Sequence, residues 1–183
     1  MIFLVAVIVG VLVGLLLGGK LSNLPSLRLR WLWLVLLGLL LQVLIFPLFS
    51  EHPILPFATV PLHYLSYSLV LLFLVANLRV LPLLALGAGV LLNLCAIAAN
   101  GGRMPASATA LAAAGYVDVA EKLTSGGTHG NVLLMSETTR LNGLGDWLYL
   151  PSWVPFSTAF SVGDVLILIG IAWLIVRGMR GHG

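Results

Sequence analysis

Two carboxylates, Asp146 and Asp164, are the side chains in this sequence best suited to chemistry. They stand 18 positions apart on either side of an aromatic stretch, in the run RLNGLGDWLYLPSWVPFSTAFSVGD over 140–164. Two acids that share a site can divide the labour of a hydrolysis, because the charge of one keeps the other protonated. One activates water while the other protonates a leaving group. Each acid also has a structural use. Ser161-Val162-Gly163-Asp164 ahead of an apolar run is a capping-box pattern, which satisfies the first backbone donors of a helix and complements its dipole. Asp146, following Gly143 and Gly145, can cap a short segment that begins at Trp147.

A second group of residues could line or position such a site. Arg103 and Arg140 are candidate partners for a carbonyl or oxyanion, and equally candidates to hold the two aspartates ionised in salt bridges. Asn100 opens Asn100-Gly101-Gly102-Arg103-Met104-Pro105, which reads either as a helix C-terminal cap and turn or as the backbone floor of a pocket. Asn93 lies seven positions before Asn100 and shares its helical face. His63 and Tyr67, at i and i+4, sit among polar residues near one end of an apolar run. Gln42 and Asn77 are further polar residues in such runs, where they serve either to hydrogen-bond between helices or to carry function. Cys95 is the single cysteine, so neither a disulfide nor a cysteine metal site is available. No metal site and no cofactor is expected.

These side chains must be positioned in a membrane. Of 183 residues, 60% are hydrophobic and only 8% charged, far from soluble usage, in which about a quarter are charged. The net charge of +3 comes from basic residues scattered singly around apolar runs, which argues against nucleic-acid binding. The pattern predicts an all-α integral membrane protein, a single membrane domain over 1–183 with about five transmembrane helices and the lipid bilayer as its first partner. The expected spans are 2–19, 31–49, 61–78, 81–100 and 162–176. The first has no basic segment before it and is expected to be retained. Gly10, Gly14 and Gly18 recur every four residues in it and predict a helix-packing face. Pro47, Glu51, His52, Pro53 and Pro56 mark the turn after the second span.

Residues 101–161 form a long loop with no spanning run, expected to be partly helical, with short helices over Pro105–Ala114 and Tyr116–Leu123. Trp147, Tyr149, Trp153 and Phe156 predict a segment at membrane-interface depth. Placing the amino terminus outside leaves Lys20, Arg28, Arg30, Arg79, Arg177 and Arg180 on the cytoplasmic side with the carboxy terminus. The 101–161 loop and all six acids then fall outside.

Two resemblances follow from these residues. Gly145-Asp146-Trp147, then Phe160-Ser161-Val162-Gly163-Asp164 and the last span, with Arg140 upstream, resemble the carboxy-terminal part of signal peptidase II, the lipoprotein signal peptidase. In that family two aspartates form the catalytic dyad, and the resemblance implies that Asp146 and Asp164 act in the same way on a lipoprotein-like peptide. Ser161 stands where that family has asparagine and Gly163 where it has alanine. Asn93–Ile97, Asn100–Pro105, Gly130-Asn131, Thr138–Leu141 and Phe160–Asp164 together resemble a bacterial family of small polytopic membrane proteins of unassigned function. That likeness covers most of the chain and implies the bacterial cytoplasmic membrane as its location.

Three functional readings result. The first is an accessory or assembly component with an extracytoplasmic interfacial pocket, docking another membrane protein. The second is a two-aspartate intramembrane-interface hydrolase of the aspartic peptidase type. The third is a small transporter, which lacks the charged residue deep in a span and the inverted repeat expected of one.

Overall fold

A computed structural model describes residues 2–45, 58–127 and 129–181. The expected end of the second span at 46–49, and the turn with Pro47, Glu51, His52, Pro53 and Pro56, lie outside the described residues. Long apolar runs have no polar side chains to compete for backbone hydrogen bonds, and in lipid the backbone must satisfy itself, so they form helices. Five appear: α1 (Ile2–Leu16), α2 (Leu32–Ile45), α3 (Thr59–Ala76), α4 (Leu81–Ala99) and, after the intervening segment, α7 (Val162–Met179). Of these, α3, α4 and α7 are long and apolar enough to cross a membrane; α1 and α2 are shorter apolar helices.

The helices pack in the order α1, α7, α4, α3, α2. Glycine sets the two closest approaches. A methyl at Gly170 would lie 2.7 Å from Leu86 Cβ, and one at Gly89 would overlap the Gly163 carbonyl, so α4 and α7 touch backbone to backbone. A methyl at Gly10 would lie 3.0 Å from the Ala172 backbone, and one at Gly14 would strike the buried Met179 side chain, which draws α1 onto α7. Gly18 has another role. The helix ends at Leu16, and Gly18 follows it at φ 76° with open space where a methyl would be. The Gly19 N–H reaches back to the Gly14 carbonyl at 2.8 Å, so Gly18 supplies the left-handed turn of a helix C-cap instead of a third packing contact.

The segment between α4 and α7 folds into a cap over one end of the bundle. It is not purely helical: β1 (Met104–Ala106), α5 (Ala108–Ala113), α6 (Val117–Thr124), β2 (Val132–Leu134), β3 (Leu148–Leu150) and β4 (Thr158–Phe160) follow in order. The two helices arise near the predicted places, α5 capped by Ser107. The strands depart from the all-α expectation, because three residues are too few to display an alternating pattern. β1 pairs in parallel with β2, and β3 pairs antiparallel with β4. The cap has its own small core of Ala106, Leu111, Ala120 and Leu123, and Met104 joins it to the bundle at Ala96 and Ile97.

At the opposite end of the bundle, the Asn77 side chain clamps Arg30. It accepts from the Arg30 N–H and donates to the Arg30 carbonyl, both at 2.8 Å. The loop into α2 is thereby tied to the end of α3.

Candidate functional site

Where the cap meets the bundle lies a cavity of about 420 Å³. Asp146 and Asp164 both line it, and the strand pairing explains how. Leu148 is opposite Phe160 in the β3–β4 ladder, so Asp146, two residues before the one, is carried to the first turn of the helix that follows the other. The 17 intervening residues, 147–163, are closed into a hairpin. The Asp146 backbone is fixed from its other side by β1: its N–H donates to the Pro105 carbonyl at 2.8 Å, and its carbonyl accepts from Ser107 N–H at 3.0 Å.

The surroundings of the two carboxyls are opposite. Asp164 closes the predicted capping box: its N–H donates to Ser161 Oγ at 2.9 Å and its Oδ2 accepts the Ser161 N–H at 3.0 Å. Asn93 of α4 donates from Nδ2 to Asp164 Oδ1 at 2.8 Å, and the Ser161 hydroxyl donates to Asn93 Oδ1 at 2.7 Å. Gly163 makes this possible, since a methyl there would overlap the Asn93 amide oxygen. Both Asp164 carboxyl oxygens therefore accept hydrogen bonds. Asp146 has the reverse arrangement. Its Oδ1 is buried and accepts no hydrogen bond. Burial pushes its carboxyl up to about 8, and the neighbouring Asp164 charge adds to the shift.

His63, Tyr67 and Asn93 also line the cavity. The His63 ring lies 5.2 Å from the Tyr67 ring at a tilt of 57°, and it is hydrogen-bonded to the Gly102 backbone. Gly102 has φ 91°, and a methyl there would press on Val60, so the turn after α4 requires glycine to seat against α3. Below His63, Gln42 of α2 donates to Ser66 Oγ at 2.6 Å. Asn131 also faces the cavity. Neither this pairing nor Asn131 has a local signature in the sequence, since each depends on which elements meet.

Asn100, Arg103 and Arg140 are elsewhere. The Asn100 side chain is occupied by the Arg140 backbone, accepting its N–H at 2.9 Å and donating to its carbonyl at 2.7 Å. It holds the loop before Asp146 to the end of α4. Leu141, next along, takes a left-handed conformation at φ 56°, a costly one for leucine. Arg103 and Arg140 are exposed and do not line the cavity, and neither contributes to the shift at Asp146.

Three helices long and apolar enough to cross a membrane, and a cavity under the cap lined by two half-buried carboxyls, describe a mainly helical membrane protein. Residues 26–176 match a family of unknown function, DUF5317, and the chain belongs to that family. No curated protein and no solved structure matches it.

Proposed function

We propose that this chain is a membrane-interface hydrolase in which Asp164 is the base and Asp146 the acid. One observation carries the reading: two aspartates line one cavity, one hydrogen-bonded at both oxygens and the other with a buried oxygen that has no partner. Structural caps do not require this inequality, whereas division of acid and base roles does. A carboxylate has about four acceptor positions, and the bonds to Asn93 and Ser161 leave Asp164 room to accept from a water.

The chemistry balances without another reagent. Asp164 takes a proton from water, the hydroxyl oxygen bonds to a substrate carbonyl carbon, and Asp146 gives its proton to the carbonyl oxygen. On collapse, Asp164 returns its proton to the leaving nitrogen or oxygen while Asp146 recovers one from the gem-diol. One water is consumed, and the pair ends as it began. Within the same proposal α1 and α2 complete five spans, and the cap faces outward from the bacterial cytoplasmic membrane.

The accessory reading has a partner dock on the glycine face and on the ordered loop over 101–161. Gly10 and Gly14 instead pack against α7 of the same chain, which favours the hydrolase. The test uses the purified chain in lipid nanodiscs with ester- and amide-bearing amphiphiles in ¹⁸O-water. Product acid should carry one ¹⁸O, and Asp146→Asn and Asp164→Asn should each lower the rate at least 100-fold. A rate that survives either substitution in a folded variant overturns the reading.

A further inference from the structure

The cavity is polar at one end and apolar at the other, and this gradient follows the helices. At the cap end lie Asp146, Asp164, His63 and Asn131; Gln42, Ser66 and Asn93 form a middle belt. The floor toward the bundle centre is Gly38, Leu39, Val70 and Val90. From His63 to Val70 is seven residues of α3, a descent of about 10 Å. The floor therefore lies within the depth of an apolar chain.

The cavity also has an open side. α1 and α2 stand at the two ends of the packing order, and each contributes a lining residue that remains exposed: Phe3 at 42% and Leu39 at 57%. On helices of a membrane bundle such exposed apolar side chains meet lipid, so Phe3 and Leu39 join the cavity lining to the bilayer side of the bundle. Charge narrows the occupant further. No Lys or Arg lines the cavity among the described residues, and the remaining positions of the chain contain none. A phosphate or carboxylate headgroup would meet the Asp164 side chain with no Lys or Arg among the described lining residues to bind it.

We propose that the cavity admits, sideways from the bilayer, an electrically neutral amphiphile with one apolar chain on the Leu39, Val70 and Val90 floor and an amide or ester carbonyl between Asp146 and Asp164. This rests on the hydrolase reading for the carbonyl's fate, while binding and side entry are independent of it.

The probes are radiolabelled N-dodecanoyl glycinamide, its N-butanoyl analogue and dodecyl phosphate, with binding measured on the full chain in nanodiscs. The dodecanoyl amide should bind at least ten-fold more tightly than dodecyl phosphate. Leu39→Trp, at an exposed position that leaves folding intact, should weaken the dodecanoyl amide at least ten-fold and the butanoyl amide less than two-fold. Val70→Phe fills the floor from the other wall and should do the same. Tighter binding of dodecyl phosphate overturns the proposal, as does indifference of the long chain to both substitutions. Dodecanoyl amide that binds as described but is never cleaved supports the proposal and sinks the hydrolase. Two-aspartate cleavage of the butanoyl amide with no gain from a longer chain does the opposite.

Discussion

Asp146 and Asp164 are chemically identical and face one cavity, yet the chain treats them in opposite ways. Asp164 sits at a helix start whose local sequence supplies its partners, and Asn93 adds one from the neighbouring helix. Asp146 sits on a loop whose backbone is pinned by β1 while its side chain is left without a donor at Oδ1. A helix N-terminus presents free N–H groups that welcome charge. A strand bridge consumes the backbone groups and offers the side chain none. Position in the secondary structure, not residue type, separates the hydrogen-bonded carboxyl from the one with an orphaned oxygen.

Removing the satisfied acid should be the most damaging: Asp164→Ala deletes the capping box and leaves the Asn93 amide unpaired, a loss of about 2–4 kcal/mol. Thermal unfolding in detergent would register it, and an unchanged Tm would place the stabilisation elsewhere.

Removing the orphan should do the reverse, and only above mildly acidic pH. The folded value of Asp146 is about 8, above its ordinary 3.8, so the folded chain holds a proton that the unfolded chain has released. Stability from this group is therefore lost as pH rises from about 4 to about 8, by up to about 1.4 kcal/mol per unit. Asp146→Asn cannot ionise and should flatten that slope, matching wild type near pH 4 and exceeding it near pH 8. Parallel pH–Tm curves for the two proteins would mean that Asp146 has water or a donor in solution.

The smallest effect concerns the loop that delivers Asp146. Asn100→Ala unties both hydrogen bonds to the Arg140 backbone and should cost about 1–2 kcal/mol. Faster amide exchange over 140–146, with 161–164 unaltered, would show that the two carboxyls are held by separate devices. Equal loosening of both regions would merge them.

Much of the bundle was legible, because uninterrupted apolar runs leave a backbone in lipid little choice but helix. The beginnings and ends of α3 and α4 fall within two residues of expectation. Gly18 departs from the predicted packing face for a physical reason: a glycine four residues on from Gly14 continues a packing stripe only while the helix continues. The Leu17-Gly18-Gly19 turn ends it. Asn100, read as a pocket residue, is a backbone clamp, because its partner 40 positions away cannot be inferred from local pattern. The strands of the cap were invisible, being three residues each.

By itself the sequence determined the membrane setting, the capping box at Ser161–Asp164 and the presence of two acids around an aromatic segment. Those are local properties, set by composition and by contacts within a few residues. Only the tertiary structure decided that the acids share a cavity, that Asn93 serves one while Oδ1 of the other has no donor, and that both arginines stay outside. The β3–β4 register and the Gly163 gap made those choices, because which groups meet across a fold depends on closures that no single stretch encodes.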